Sequence, residues 1–267
     1  MDKKKVLIVT QEMQPYTALS EIAEIARKLP PYIQEKGMEI RVLMPRYGTI
    51  NERRHRLHEV VRLSGMNIIV DDDDFPLIIK VASLPGARMQ VYFLDNEDFF
   101  KRKSVFEDDK GQPFEDNPDR MIFFCKGVIE TVKKFGWAPD IIHCHGWMTS
   151  LIPLYLKTAY KTEPLFKNSS IVYSLYDKTL VSPFSEAFTS KASINNLEPE
   201  DLVAYQDGEN VNLHLGACTF ADAIITGSKE VNTSLQGIEK PILEFQEEDY
   251  LPAYLEFYNS LLEQEVE

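Results

Sequence analysis

His143 and His145 flank Cys144 at the end of a short apolar run, and Gly146 and Trp147 follow directly. Imidazoles at that spacing on a strand face the same way, as two metal ligands do. A zinc site needs further ligands and no third is evident, so both histidines read as structural and no metal is expected. The adjacent acids Asp71, Asp72, Asp73 and Asp74 carry the charge for calcium but lack the glycine and spacing of a calcium loop, and read as the solvated tip of a hairpin. Cys125, Cys144 and Cys218 are odd in number and widely spaced, which argues against a disulfide framework or a cysteine zinc site and for small core residues. His214 reads as a helix-surface or packed histidine, since no serine-histidine-acid or cysteine-histidine arrangement surrounds it. No Gly-x-Gly-x-x-Gly fingerprint occurs, so a plain dinucleotide-binding module is disfavoured and no cofactor is expected.

Such residues need elements to hold them. Short β-branched runs at Val6–Val9, Ile40–Met44, Val91–Leu94, Ile141–Cys144, Ile171–Leu175 and Ile224–Thr226 have the apolar character of buried parallel strands. Amphipathic segments separate them, so the expected fold is α/β with a Rossmann-like parallel sheet. Leu19, Ile22, Ala23, Ala26, Leu29 and Ile33 recur at helical spacing before Gly37. Met121, Phe124, Cys125, Val128, Ile129 and Val132 do so after Asn117, read as an N-cap, and Pro118. Leu57 to Val81 reads as an antiparallel excursion around the acidic tip. Leu251, Tyr254, Leu255, Tyr258, Leu261 and Leu262 form an apolar stripe on a closing helix that begins at the turn of Pro252 and must dock on something.

The 29 basic and 42 acidic residues give a net charge of -13 over 267 residues, which repels polyanions and excludes nucleic acid as a partner. No apolar run approaches the roughly 18 residues of a membrane helix, so no membrane partner is expected. The opening MDKKKVLIV reads as a solvated tail and first strand, too short for a signal-peptide core, so the expected location is the cytoplasm.

The run VYFLDNEDFFKRKSVFEDDKGQPFEDNPDRMIFFCKGVIETVKKFGWAPDIIHCHGW, with MPRYGTINERRHRL before it, resembles the N-terminal starch synthase catalytic domain of the glycogen and starch synthases. The similarity is collinear from Val6 to Ser228. It implies one half of a GT-B glycosyltransferase, the half that holds the glucan acceptor, in enzymes that move glucose from ADP- or UDP-glucose to an α-1,4-glucan. Fewer than forty residues follow Ser228, too few for a nucleotide-binding half. The closing helix resembles the family's C-terminal helix, which returns from the donor domain to the first; the other reading is the amphipathic helix on which any α/β domain can end. The expected organisation is a Rossmann-like domain over 1–235 and a tail with a returning helix over 236–267.

The resemblance can be followed position by position. The family's Lys-Thr-Gly-Gly segment corresponds to Ala18, Leu19, Ser20 and Glu21, which removes the cation and both glycines and adds a carboxylate. Glu12 is retained at a strand's C-terminal end, where such folds place ligands. The family's cleft aspartate is replaced by Gly146, its histidine by Tyr176, and a lysine by Leu215, while Asn212 matches. A phenol cannot replace a histidine's proton chemistry near neutral pH. No catalytic residue is therefore assigned, and the residues expected to bind glycan are Glu12, Tyr16, His145, Trp147, Tyr176, Asp177 and Asn212. Trp147, Tyr176 and Tyr16 would stack on sugar faces; for Trp147, packing beneath its helix start is the other reading. By resemblance the chain falls among the hexosyltransferases, and the expectation is a pseudoenzyme of carbohydrate metabolism that binds an α-glucan or serves regulation or assembly. The rival expectation is an active subunit whose donor domain comes from another protein. A homodimer would also cover the apolar stripe.

Overall fold

The computed structural model describes residues 3–194, 197–231, 235 and 237–264. Its strands are β1 (Lys5–Thr10), β2 (Glu39–Pro45), β3 (His58–Glu59), β4 (Met66–Val70), β5 (Asp73–Ser83), β6 (Gln90–Asp95), β7 (Ile141–His145), β8 (Ser170–Leu175), β9 (Gln206–Asp207), β10 (Asn210–Val211), β11 (Ala223–Thr226) and β12 (Ile242–Leu243). The longer helices are α1 (Ile22–Glu35), α4 (Asn117–Phe135), α5 (Leu151–Lys157), α8 (Leu213–Phe220) and α9 (Tyr250–Gln264). Shorter ones are α2 (Glu52–His55), α3 (Glu97–Phe100), α6 (Glu186–Ala192) and α7 (Pro199–Leu202).

The main sheet runs β12-β11-β8-β7-β1-β2-β6-β5-β3, with β4 paired to β5. From β12 to β6 every pairing is parallel, and β5 begins the antiparallel excursion around Asp71 and Asp72. The fold expected from the apolar runs is thus observed. Chain direction across the sheet reverses at β1, which has β2 on one side and β7 on the other. Right-handed crossovers then place α1 on one face and α4, α5 and α8 on the other. Beside α1 the first face would lie bare over β7 and β8, and α9 fills that place.

Register assigns the side chains to layers. Ile8, His143 and Val172 align across β1, β7 and β8, as do Thr10, His145 and Ser174, so these residues share the face of α1 and α9. Cys144 and Tyr173 point to the other face, where the Tyr173 hydroxyl and His214 Nδ1 share a hydrogen bond of 2.8 Å. All three cysteines are buried.

Three details differ from the sequence reading. Leu19 is 47% exposed and precedes α1, because the loop before the helix is held away from helical geometry by contacts to Glu12 described below. Asn117 is the first residue of α4 and Asp116 its cap; the Asn117 amide is turned instead to the Phe106 carbonyl at 2.8 Å. In α9 the buried stripe is Tyr254, Tyr258, Leu261 and Leu262, with Leu251 and Leu255 half-buried at its edge.

Candidate binding cleft at the strand ends

Where the strand order reverses, an open α/β sheet leaves a crevice beyond the carboxyl ends of its strands. Here the ends of β1, β7 and β8 open onto a cavity of about 530 Å³. Its floor and walls include Gln11 and Glu12 after β1, Trp147 after β7, and Tyr176, Asp177 and Lys178 after β8. The segment Ser104 to Asp108 closes the far side.

The loop after β1 is tied to itself. The Glu12 carboxylate accepts the Ser20 backbone N–H at 3.0 Å and the Ser20 hydroxyl at 2.6 Å, and it also accepts the Leu19 N–H. Ser20 Oγ in turn accepts the Ile22 N–H at 3.3 Å. Donors at the start of a helix, which could otherwise meet a bound anion, are satisfied from within the chain. Glu12 itself is 1% exposed.

At the end of β7 the backbone turns through Gly146 at φ +84°, and a Cβ there would lie 2.3 Å from the Gln11 amide oxygen. His145 is fully buried, its Nδ1 bonded to the Tyr176 hydroxyl at 2.8 Å, and burial brings its pKa down to about 3. The His143 ring lies against it, tilted, with centroids 3.8 Å apart; it bonds Ser174 Oγ through Nε2 at 2.7 Å and shares a hydrogen bond with the Tyr258 hydroxyl of α9. Burial and then the neighbouring His145 hold His143 well below its ordinary value. Both imidazoles are therefore neutral structural groups. The Tyr176 ring lies against the backbone of Gly227, where a Cβ would come within 2.3 Å. Among the described residues no group of three His, Cys, Asp or Glu is placed to hold a metal ion.

Of the seven residues expected to bind glycan, Glu12, Trp147, Tyr176 and Asp177 line the cavity, and His145 supports Tyr176 from behind. Trp147 has one side taken by Phe106, at 4.8 Å between centroids, and is 5% exposed. Tyr16 does not line the cavity. Its ring meets Phe93 at 4.9 Å and its hydroxyl donates to the Ser83 carbonyl, with burial raising its pKa to about 12. Asn212 also lies outside the lining, capping α8 by accepting the Leu215 N–H at 3.0 Å. The sequence reading passed over the far wall. Arg120, fully buried, donates to the carbonyls of Phe99 and Val105 at 2.8 and 2.7 Å, and the Arg102 Nη1 donates to Asp116 Oδ1 at 2.7 Å. A charged residue beside the apolar stripe of α4 was the available signal.

Residues 5–244 match the family model described as starch synthase catalytic domain. The glycogen synthase of Chlorobium limicola is 38% identical over 230 residues, covering 84% of this chain and 46% of that protein. That of Chlorobaculum tepidum is 37% identical over 261 residues, covering 97% of this chain and 52% of that protein. The chain therefore spans about half the length of the curated relatives it matches. Among solved structures, the catalytic domain of starch synthase IV from Arabidopsis thaliana, bound to ADP and acarbose, aligns with a TM-score of 0.71. Its sequence identity is 20%, and the alignment covers 85% of this chain and 45% of that one, a likeness of fold.

Proposed function

Because this chain belongs to the glycogen and starch synthase family, we propose that it binds an α-glucan at the strand-end cleft and does not itself transfer glucose. The observation that carries this reading is the closure of the loop after β1 on Glu12. The N–H groups of Leu19 and Ser20 have an internal carboxylate as partner, so a sugar nucleotide would have to displace a charge of its own sign to use them. Among the described residues lining the cavity, Lys178 is the one cation against the carboxylates of Glu12, Glu21, Glu107, Asp108 and Asp177. Such a lining disfavours phosphates and suits hydroxyl groups, which donate well to carboxylates. A non-catalytic role in regulation or assembly follows from a site that holds a polymer without altering it.

Titration calorimetry with malto-oligosaccharides and ADP-glucose tests the proposal, together with an assay for transfer of labelled glucose to glycogen. Glucan binding with no micromolar affinity for ADP-glucose and no transfer is expected. Transfer that disappears when a cleft residue such as Glu21 is mutated would sink it.

The similarity to glycogen synthases along most of this chain favours a second reading, an active subunit that works with a donor side supplied by another chain. Transfer appearing only on addition of such a partner would distinguish it.

A further inference from the structure

A second cavity of about 350 Å³ adjoins the cleft, between the start of α1, the backbone at Thr226 to Lys229 after β11, and the start of α9. Glu21 belongs to the walls of both cavities. Tyr176 lines the cleft and Tyr254 the second cavity. The Tyr176 phenol, held neutral first by burial, is influenced next by Tyr254 and also by Glu21.

Both cavities set aromatic residues beside carboxylates. In the cleft Phe106 and Trp147 accompany Glu107 and Asp108, and in the second cavity Phe245 and Tyr250 accompany Glu24 and Glu247. Phe245 is 36% exposed, and the Tyr250 hydroxyl is buried without a hydrogen-bond partner among the described residues. Aromatic surface alternating with carboxylates suits a repeating ligand with apolar ring faces and hydroxyl edges. Carboxylates outnumber the one lysine in each lining, Lys178 in the cleft and Lys229 in the second cavity, which disfavours a phosphate at either end.

We infer that the two cavities form one continuous site for a linear neutral oligosaccharide, which runs from Trp147 over Glu21 onto the first turn of α9. The inference rests on the glucan reading of the cleft and adds to it a minimum length of ligand and a binding role for α9.

Calorimetry on the intact protein with maltotriose and maltoheptaose tests it. Maltoheptaose should bind at least about tenfold more tightly. Tyr250→Ala, and separately Glu247→Arg in the exposed segment before α9, should each bring maltoheptaose down to the affinity of maltotriose. Glu247→Arg leaves the packed face of α9 untouched and decides the matter if Tyr250→Ala fails to fold. Equal affinities for the two sugars in the unmodified protein, or a length advantage that survives Glu247→Arg, would overturn the continuous site while leaving glucan binding at the cleft standing. Binding of neither sugar would overturn both.

Discussion

Gly146 shows how tightly the turn after β7 constrains the cleft. Its φ of +84° is strained for any residue with a Cβ, and the Gln11 side chain occupies the space that such a Cβ would need. Gly146→Asp, which places a carboxylate where the family resemblance implies one, should therefore destabilise the fold by about 1–3 kcal/mol and, on the proposed function, give no transfer of glucose. Chemical denaturation measures the first and the labelled-glucose assay the second. Adding Gln11→Ala should recover the part due to crowding and leave the part due to φ; full recovery would show that strain is negligible there. At this scale the sequence was legible wherever a strand end carries the residue, as for Glu12, Trp147, Tyr176 and Asp177. It does not show that Tyr16 and Asn212 stand outside the cavity lining, with side chains turned to Ser83 and to the start of α8. Which way a loop side chain turns depends on neighbours remote in sequence, and periodicity carries no information about them.

The helix α9 illustrates what periodicity does carry. Its stripe announced a docked helix, and the helix covers the part of the sheet over β7 and β8 that the crossovers leave open. The polar side of that contact was not legible, since the bond between Tyr258 and His143 joins residues more than a hundred positions apart. The start of α1 differs from the sequence reading for a different reason, the carboxylate of Glu12, eight residues before Ser20 in the same loop, whose contact with Leu19 and Ser20 periodicity does not register. Burial of Tyr254, Tyr258, Leu261 and Leu262 is worth about 1.5–3 kcal/mol each, against a typical domain margin of about 5–15 kcal/mol. A chain ending at Asp249 should accordingly lose most of its stability, unfolding at much lower urea or aggregating through the uncovered face. An unchanged urea midpoint would show that α9 contributes nothing to the fold.

For the whole molecule, buried ionisable groups on both faces of the sheet set the range of pH in which it is stable. His143 and His145 lie beneath α9, and His214, brought down to about 4 by burial, lies beneath Tyr173 on the opposite face. An unfolded imidazole takes up its proton near pH 6.5, whereas these do so only at much lower pH. Below about 6.5 the unfolded chain therefore binds more protons than the folded one, and stability falls as the pH falls, by up to about 1.4 kcal/mol per pH unit for each histidine. At the alkaline end the sign of the proton balance reverses. Burial holds the Tyr173, Tyr176, Tyr205 and Tyr258 phenols well above 10, so above about pH 10 the folded chain keeps protons that the unfolded chain has lost, and stability falls as the pH rises. Lys126, lowered to about 8 by burial, acts the other way between about 8 and 10.5, with a modest gain as the pH rises. The melting temperature should thus be highest between about pH 7 and 10 and fall on both sides. Because the histidines are divided between the two layers, His214→Gln should reduce the acid slope without abolishing it, the pair beneath α9 supplying the rest. Calorimetric melts from pH 4.5 to 11 read this directly, and a melting temperature that stays level from pH 7 down to 5 would show that the three imidazoles are not held neutral in the folded chain.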